Sequence, residues 1–304
     1  MSDLILYHYD MSPFAEKART MLGYAGLGWY SVRVAPMPPR PELDVLTGGY
    51  RRIPVAQRGA DVFCDTRIIA REIARLGDCP ELVLEDQPEA VQAFVRETDL
   101  NVFLACVLTG SGPRMLYRFW KTHSLPDVGR FLRDRLSMGR DARVDPVTPR
   151  SAPARVRAHI ERMETMLSSD FLFGDTPCIA DFSAYHGLWF VTELGGKSRM
   201  VARSPRVSAW MARMRAFGHG QPEEISAEQG LRMARENEPQ PLPRGEHERL
   251  DQTVTIAPSD YGREPVTGTL VSVQDGRRVL TREHERTGQV QVHFPVGGYS
   301  INPV

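Results

Sequence analysis

The sequence has few cysteines, and they form no recognisable pattern. Cys64, Cys79, Cys106 and Cys178 are scattered, with no Cys-x-x-Cys pair and no histidine at metal-ligand spacing. Disulfide frameworks and structural zinc sites both depend on such spacing. We therefore expect no metal cofactor, and a reducing, cytoplasmic environment.

Long hydrophobic runs and net charge are also lacking. No apolar stretch approaches the length needed to cross a bilayer, and no basic segment precedes the first apolar run as in a signal peptide. The 38 basic and 38 acidic side chains cancel. Because no overall field attracts nucleic acid or anionic lipid, we expect neither a nucleic-acid partner nor a membrane.

The chain does have the length and composition of a folded protein. Its 304 residues, 41% hydrophobic and 25% charged, predict packed cores in about two domains. Residues 1–82 read as β-α-β-α-β-β-α, from the apolar "LILYHY" to the helical "TRIIAREIARLG". This order predicts an α/β first domain.

The pattern then changes twice. Residues 87–238 carry apolar residues at helical spacing, which predicts an all-helical second domain. Residues 239–304 begin with a Pro-rich, charged linker and continue as short alternating strands, with a hairpin signal at Asp275-Gly276. We expect a small β-rich appendage there.

Three polar motifs stand at the ends of the predicted elements of the first domain. Ser12-Pro13 opens the first helix, Ile53-Pro54 precedes the third strand, and Asp65-Thr66 opens the third helix. Each has a structural explanation, as a helix cap or a strand-start proline. Each also suits a ligand, because a helix N-terminus attracts anions and a cis proline turns the preceding backbone outward.

The motifs and the order of the elements resemble those of the cytosolic glutathione transferases. In the helical domain, "FLFGDTPCIADFSAYHGLWF" is similar to the family's Gly-x-x-Pro-x-Ile-Ala-Asp-Phe signature. The resemblance covers residues 4 to 220 and is that of a bacterial Ser-type member with an extra C-terminal β domain. It implies an α/β thioredoxin-like domain followed by the all-α domain of the family.

The resemblance also implies residue roles. Ser12 would hydrogen-bond the glutathione sulfur, Ile53 before a cis Pro54 would pair with the cysteinyl backbone, and Asp65 and Thr66 would hold the γ-glutamyl group. Arg52, or as second choice Arg40, would meet the glycyl carboxylate. Tyr7 and Tyr9 remain open as alternative hydroxyl donors to the sulfur, since the family also uses tyrosine.

The resemblance further implies a reaction and partners. Glutathione would be the co-substrate, attacking a small apolar or aromatic electrophile in a pocket that includes Met11, Phe14, Tyr117 and Trp120. The implied protein is a detoxification-type transferase and a homodimer. Two alternatives stay open: a non-catalytic glutathione-binding or protein-interaction module, and a disulfide reductase that depends on Cys64.

Overall fold

The N-terminal segment is the α/β domain that the sequence predicts. The computed structural model describes residues 3–122, 124–140 and 147–304. The elements of the first segment are β1 (Ile5–His8), α1 (Pro13–Tyr24), β2 (Gly28–Arg33), α2 (Pro41–Thr47), β3 (Val55–Arg58), β4 (Asp61–Cys64) and α3 (Thr66–Gly77). Proline starts α1 and α2, and a left-handed residue, Gly48 or Asp78, ends α2 and α3. The β-α-β-α-β-β-α order is confirmed.

A helical domain follows, as predicted. Its helices are α4 (Glu89–Glu97), α5 (Phe103–Gly110), α6 (Pro113–Thr122), α7 (Leu125–Arg140), α8 (Ala152–Met166), α9 (Ile179–Trp189) and α10 (Pro205–Ala216). A π-helical turn over Thr98–Val102 joins α4 to α5. None of the helices in the described part of the chain is long and apolar enough to cross a bilayer.

The rest of the chain returns to the α/β domain. Its elements are β5 (Gln221–Glu224), α11 (Ala227–Arg235), β6 (Thr253–Pro258), β7 (Val266–Gln274), β8 (Arg277–His284), β9 (Gly288–Pro295) and β10 (Tyr299–Pro303). The sequence pattern does not predict β5 or β10, because both are short and mostly polar, and only backbone pairing defines them. The β-rich appendage itself is present.

The strands of all three segments join in one sheet. Within the described residues its order is β10-β6-β7-β8-β9-β4-β3-β1-β2-β5, ten strands in all. β9 pairs in parallel with β4, and β5 pairs in parallel with β2. Both edges of the first domain's sheet are therefore covered by later parts of the chain, which prevents those edges from pairing with other molecules.

Two hydrophobic cores lie on opposite faces of this sheet. One joins α1 and α3 to the helical domain, through residues such as Met21, Ile69 and Phe182. The other lies between the sheet and helices α2 and α11, and it includes Tyr7 of the first domain and Phe294 of the appendage. The appendage thus shares a sheet and a core with the first domain. The segment 221–235, predicted as part of the helical domain, packs there as well.

Candidate functional site

The N-terminus of α1 is capped by Ser12. The residue is extended, and its Oγ accepts a hydrogen bond from the Ala15 N–H at 3.2 Å. The cap that the sequence allows is therefore formed. A hydroxyl held this way sits where the α1 dipole is positive, and such a site also favours a thiolate.

The Ile53–Pro54 peptide bond is cis, as the resemblance implies. It lies immediately before β3, whose strand begins at Val55. Ile53 and Pro54 both line a cavity of about 350 Å³. That volume lies at the lower end of the range for small-molecule sites.

Asp65 and Thr66 line the same cavity at the N-terminus of α3. Asp65 has a φ of +80°, which is rare for a residue with a side chain, and its Oδ1 accepts from the Arg67 N–H at 3.0 Å. Burial raises the pKa of this carboxyl, but the charges of Arg67 and Arg52 and the Arg67 hydrogen bonds outweigh it, so the pKa is lowered overall. A strained, ionised aspartate at a cavity wall is typical of a functional site.

Arg67 is a cavity residue that the sequence argument missed. Its Nε lies 3.3 Å from Asp65 Oδ1, while its Nη atoms approach the turn at Gly297 and Gly298. A Cβ on Gly298 would lie only 3.3 Å from Arg67 Nη2. Its position directly after Asp65-Thr66, in the first turn of a helix that faces the cavity, is the signal that could have found it.

The helical domain supplies a second wall. Asp99, in the π-helical turn, lines the cavity and is one-fifth exposed. Its Oδ2 accepts from Lys17 Nζ at 2.7 Å, and its Oδ1 lies 3.2 Å from His186 Nε2. Burial raises the pKa of Asp99, but Lys17 and His186 lower it more, so this carboxylate stays ionised. The Phe14 ring, 4.7 Å from the His186 ring, completes this side.

The appendage supplies a third wall, which nothing in the sequence indicated. Its residues Asp260, Tyr261, Gly297 and Gly298 line the cavity together with Arg52. Arg52 donates to Asp260 Oδ1 and to the Tyr261 carbonyl, and its guanidinium lies 4.1 Å from the centre of the Tyr261 ring. These contacts occupy the arginine that the resemblance assigns to the glycyl carboxylate.

A buried tyrosine pair connects the appendage to Asp65. The Tyr299 hydroxyl donates to Asp65 Oδ2 at 3.0 Å, and it lies 2.6 Å from the Tyr50 hydroxyl. Both rings are almost fully buried. The second oxygen of Asp65 is thus oriented by a residue more than two hundred positions away in the chain.

The other predicted residues lie elsewhere. Met11 packs in a small hydrophobic cluster with Met115 and Phe190, and Tyr117 and Trp120 lie on α6 with about half of each side chain exposed. None of them, nor Ser12, is among the described residues that line the cavity. Arg40 is buried and donates to the carbonyls of Ala35 and Arg51.

The two tyrosine alternatives differ in their surroundings. The Tyr7 hydroxyl is buried and donates to Gln57 Oε1 at 2.5 Å, in the core beside α11. Burial also raises the pKa of Tyr7. Tyr9 is partly exposed, and its carbonyl accepts from the Ser12 N–H at 3.1 Å. Tyr9 is therefore the tyrosine beside α1 whose hydroxyl is not committed to that core.

The cavity thus offers charged groups of both signs to a ligand. It presents carboxylates at Asp65, Asp99 and Asp260, guanidinium groups at Arg52, Arg67 and Arg96, and apolar side chains such as Leu84 and Val95. Among residues 3–122, 124–140 and 147–304, no group of three or more His, Cys, Asp or Glu side chains is placed to hold a metal ion.

Family models and solved structures both match this chain. The family models described as "Glutathione S-transferase, N-terminal domain" and "Glutathione S-transferase, C-terminal domain" match residues 6–80 and 140–216. A GST-like protein of known structure from Pseudomonas syringae is 33% identical, over 98% of this chain and 99% of that chain, with a TM-score of 0.75. The alignment with that protein therefore includes the appendage.

A more distant structure matches a smaller share of the chain. The apo form of a glutathione S-transferase III is 19% identical, over 71% of this chain and 92% of its own, with a TM-score of 0.50. At this identity the likeness concerns the fold alone. Comparison with curated proteins gives no match.

Proposed function

Since the chain belongs to the glutathione S-transferase superfamily, we propose that it binds glutathione in the cavity and activates its thiol for attack on a small apolar or aromatic electrophile. The observation that supports this most is the convergence of Ile53, cis Pro54, Asp65 and Thr66 on one cavity at the N-terminus of α3. The hairpin of β3 and β4 separates the two motifs in sequence and brings both to the same cavity. Their meeting at one wall matches the chemistry of the tripeptide.

The residue roles follow from what each group can offer. Asp65 is an ionised acceptor for the γ-glutamyl ammonium, while Thr66 and Arg67 offer donors for its carboxylate. Ile53, before β3, offers backbone groups to the cysteinyl part in the manner of an added strand. Arg52 borders the remaining end of the ligand, and Phe14 with Met11, Tyr117 and Trp120 stays our proposal for the electrophile side.

Ser12 is proposed as the catalytic residue. Its hydroxyl hydrogen would bond the glutathione sulfur, while its oxygen caps α1. A hydrogen bond and a helix N-terminus both stabilise a thiolate over a thiol, and the thiolate is the nucleophile. With an aromatic halide, the sulfur forms a carbon–sulfur bond as halide leaves with the bonding electrons, and the thiol proton goes to solvent.

Replacing Ser12 by alanine should lower kcat for conjugation of glutathione to 1-chloro-2,4-dinitrobenzene by about 10²-fold, the usual loss when one stabilising donor is removed. Glutathione binding should change only a few-fold, because the other contacts remain. The pKa of the bound thiol, followed by thiolate absorbance, should rise towards that of free thiol. Calorimetric titration and steady-state kinetics measure the two effects.

Ser226→Ala is the matched control. Ser226 caps α11, and its Oγ accepts from the Gln229 N–H at 3.2 Å, the same distance as in the Ser12 cap. Both variants lose a cap worth about 1 kcal/mol, but only one loses the proposed sulfur contact. Equal losses of activity in both would contradict the role of Ser12, and loss in Tyr9→Phe instead would assign it to Tyr9.

The alternatives give different results. Turnover absent from a wild-type protein that binds glutathione would support the non-catalytic module. Cys64 is fully buried, and burial raises the pKa of its thiol, which disfavours the disulfide reductase.

All four cysteines are unpaired, which supports a reducing cytoplasm. We also propose a homodimer, by family resemblance.

A further inference from the structure

The appendage places a carboxylate beside Arg52, which lines the cavity. Asp260 pairs with Arg52, and the Tyr261 carbonyl accepts from its Nε at 3.1 Å. The Tyr261 ring covers one face of the guanidinium at 4.1 Å. Arg52 is only 13% exposed, so its charge and donors are largely committed within the protein.

The charges of the side chains that line the cavity sum to zero. Arg52, Arg67 and Arg96 carry three positive charges, and Asp65, Asp99 and Asp260 carry three negative ones. Glutathione at neutral pH has one ammonium and two carboxylates, a net charge of −1. Each of these arginines already has a carboxylate partner: Arg52 pairs with Asp260, Arg67 with Asp65 and Arg96 with Glu89. The second carboxylate of glutathione would therefore have to compete with a carboxylate of the protein.

The contact between Asp260 and Arg52 is held in place by the pairing of the appendage with the sheet. β9 pairs with β4 at Asp61, Val62 and Phe63, and Tyr299 at the start of β10 bonds to Asp65. The Ser259 N–H donates to the Gly298 carbonyl at 2.9 Å, which joins the Asp260 turn to the turn beside Arg67. Asp260 and Tyr261 are therefore fixed parts of the cavity.

We infer that the appendage sets the specificity of the site, with Asp260 as the determining residue. The preferred ligand is a γ-glutamyl-cysteinyl thiol whose far end is uncharged, such as glutathione with its glycyl carboxylate in ester or amide linkage. A free carboxylate at Arg52 must compete with Asp260 at short range, whereas an ester or amide does not. This inference rests on the proposed function, because it assumes a glutathione-type thiol in this cavity.

The test is calorimetric titration with glutathione and with its glycyl monoethyl ester. The wild type should bind the ester at least as tightly as glutathione. Asp260→Asn removes the competing charge with little change of shape. The variant should bind glutathione about fivefold more tightly than the wild type does, which is the effect expected of a partly exposed charge pair. Its affinity for the ester should stay within about twofold of the wild-type value.

Glu264→Gln is the matched control. Glu264 lies in the same loop between β6 and β7 as Asp260, but it pairs with Arg51 at 2.7 Å. The affinities of this variant for glutathione and for the ester should therefore stay within about twofold of the wild-type values. The inference would be overturned if the wild type bound glutathione tenfold more tightly than the ester. This measurement requires no variant. An Asp260→Asn protein that changes both affinities equally, or neither, would also overturn it.

Failure of the proposed function has a different signature. If neither thiol binds the wild type, the glutathione site itself is wrong, and the inference falls with it. If glutathione binds and its preference over the ester does not depend on Asp260, only the inference fails.

Discussion

Asp181→Ala is expected to lower the free energy of unfolding by about 4 kcal/mol, because it leaves three buried donors without an acceptor. Asp181 is fully buried at the start of α9. Its Oδ1 accepts from the Leu172 N–H at 3.0 Å and from Trp210 Nε1 at 2.9 Å, and its Oδ2 accepts from the Cys178 N–H at 3.0 Å. One side chain thus ties the loop before α9, the first turn of α9 and helix α10 together.

Urea unfolding followed by circular dichroism measures this loss. Asp175→Ala, on the exposed part of the same loop, should change stability by no more than about 0.5 kcal/mol. Asp181→Asn should fall between the two, since its amide keeps one acceptor but sets N–H groups against a donor. A loss below about 1 kcal/mol in Asp181→Ala would show that water or a rearranged loop satisfies these donors.

Lys17→Met is expected to cost about 3 kcal/mol, since it leaves Asp99 without its cation in a largely buried place. Lys17 is fully buried, and its Nζ donates to Asp99 Oδ2 at 2.7 Å and to Ser183 Oγ at 2.8 Å. The pair joins α1 to the helical domain directly behind the cavity. The variant should therefore weaken glutathione binding as well as the fold.

Two comparisons isolate this effect. Lys121→Met, on the exposed face of α6, should cost less than about 1 kcal/mol. In the double variant Lys17→Met/Asp99→Leu, no charge is left uncompensated, so stability should partly return. A double variant less stable than Lys17→Met alone would mean that Asp99 stabilises the fold without Lys17.

The contribution of the Lys17–Asp99 pair to stability should depend on pH, and the sign of this dependence follows from the pKa shift of Asp99. Burial alone would raise the pKa of Asp99, but Lys17 and His186 lower it in the folded protein. Its contribution to stability is therefore present above the ordinary aspartate pKa of about 4 and is lost as the pH falls through the lower folded value. The stability difference between wild type and Lys17→Met should accordingly narrow below about pH 4. A difference that stays constant to lower pH would contradict this explanation.

The first domain was predictable because its signals are local. Pro13 and Pro41 start helices, Gly48 ends one, and apolar residues recur with the period of the element. The candidate site was partly predictable for the same reason. Ile53-Pro54 and Asp65-Thr66 stand at the starts of β3 and α3, and both motifs line the same cavity.

The remaining features had no local signal. β5 has only exposed side chains, so nothing but its backbone pairing with β2 makes it a strand. Asp99 reads as one polar residue inside a helix, and only the packing of α1 against the helical domain brings Lys17 to it. Tyr117 and Trp120 are large aromatic residues of the kind that line apolar pockets, yet about half of each side chain is exposed on α6.

The sequence by itself determined the family, the three segments and the cap at Ser12, because capping, periodicity and proline act over a few residues. Only the tertiary structure decided that β9 would extend the sheet at β4, and that Asp260 and Tyr299 would reach Arg52 and Asp65. Those contacts join residues more than two hundred positions apart. Strand pairing at a sheet edge uses the backbone, which every residue shares, so no pattern of side chains announces its partner.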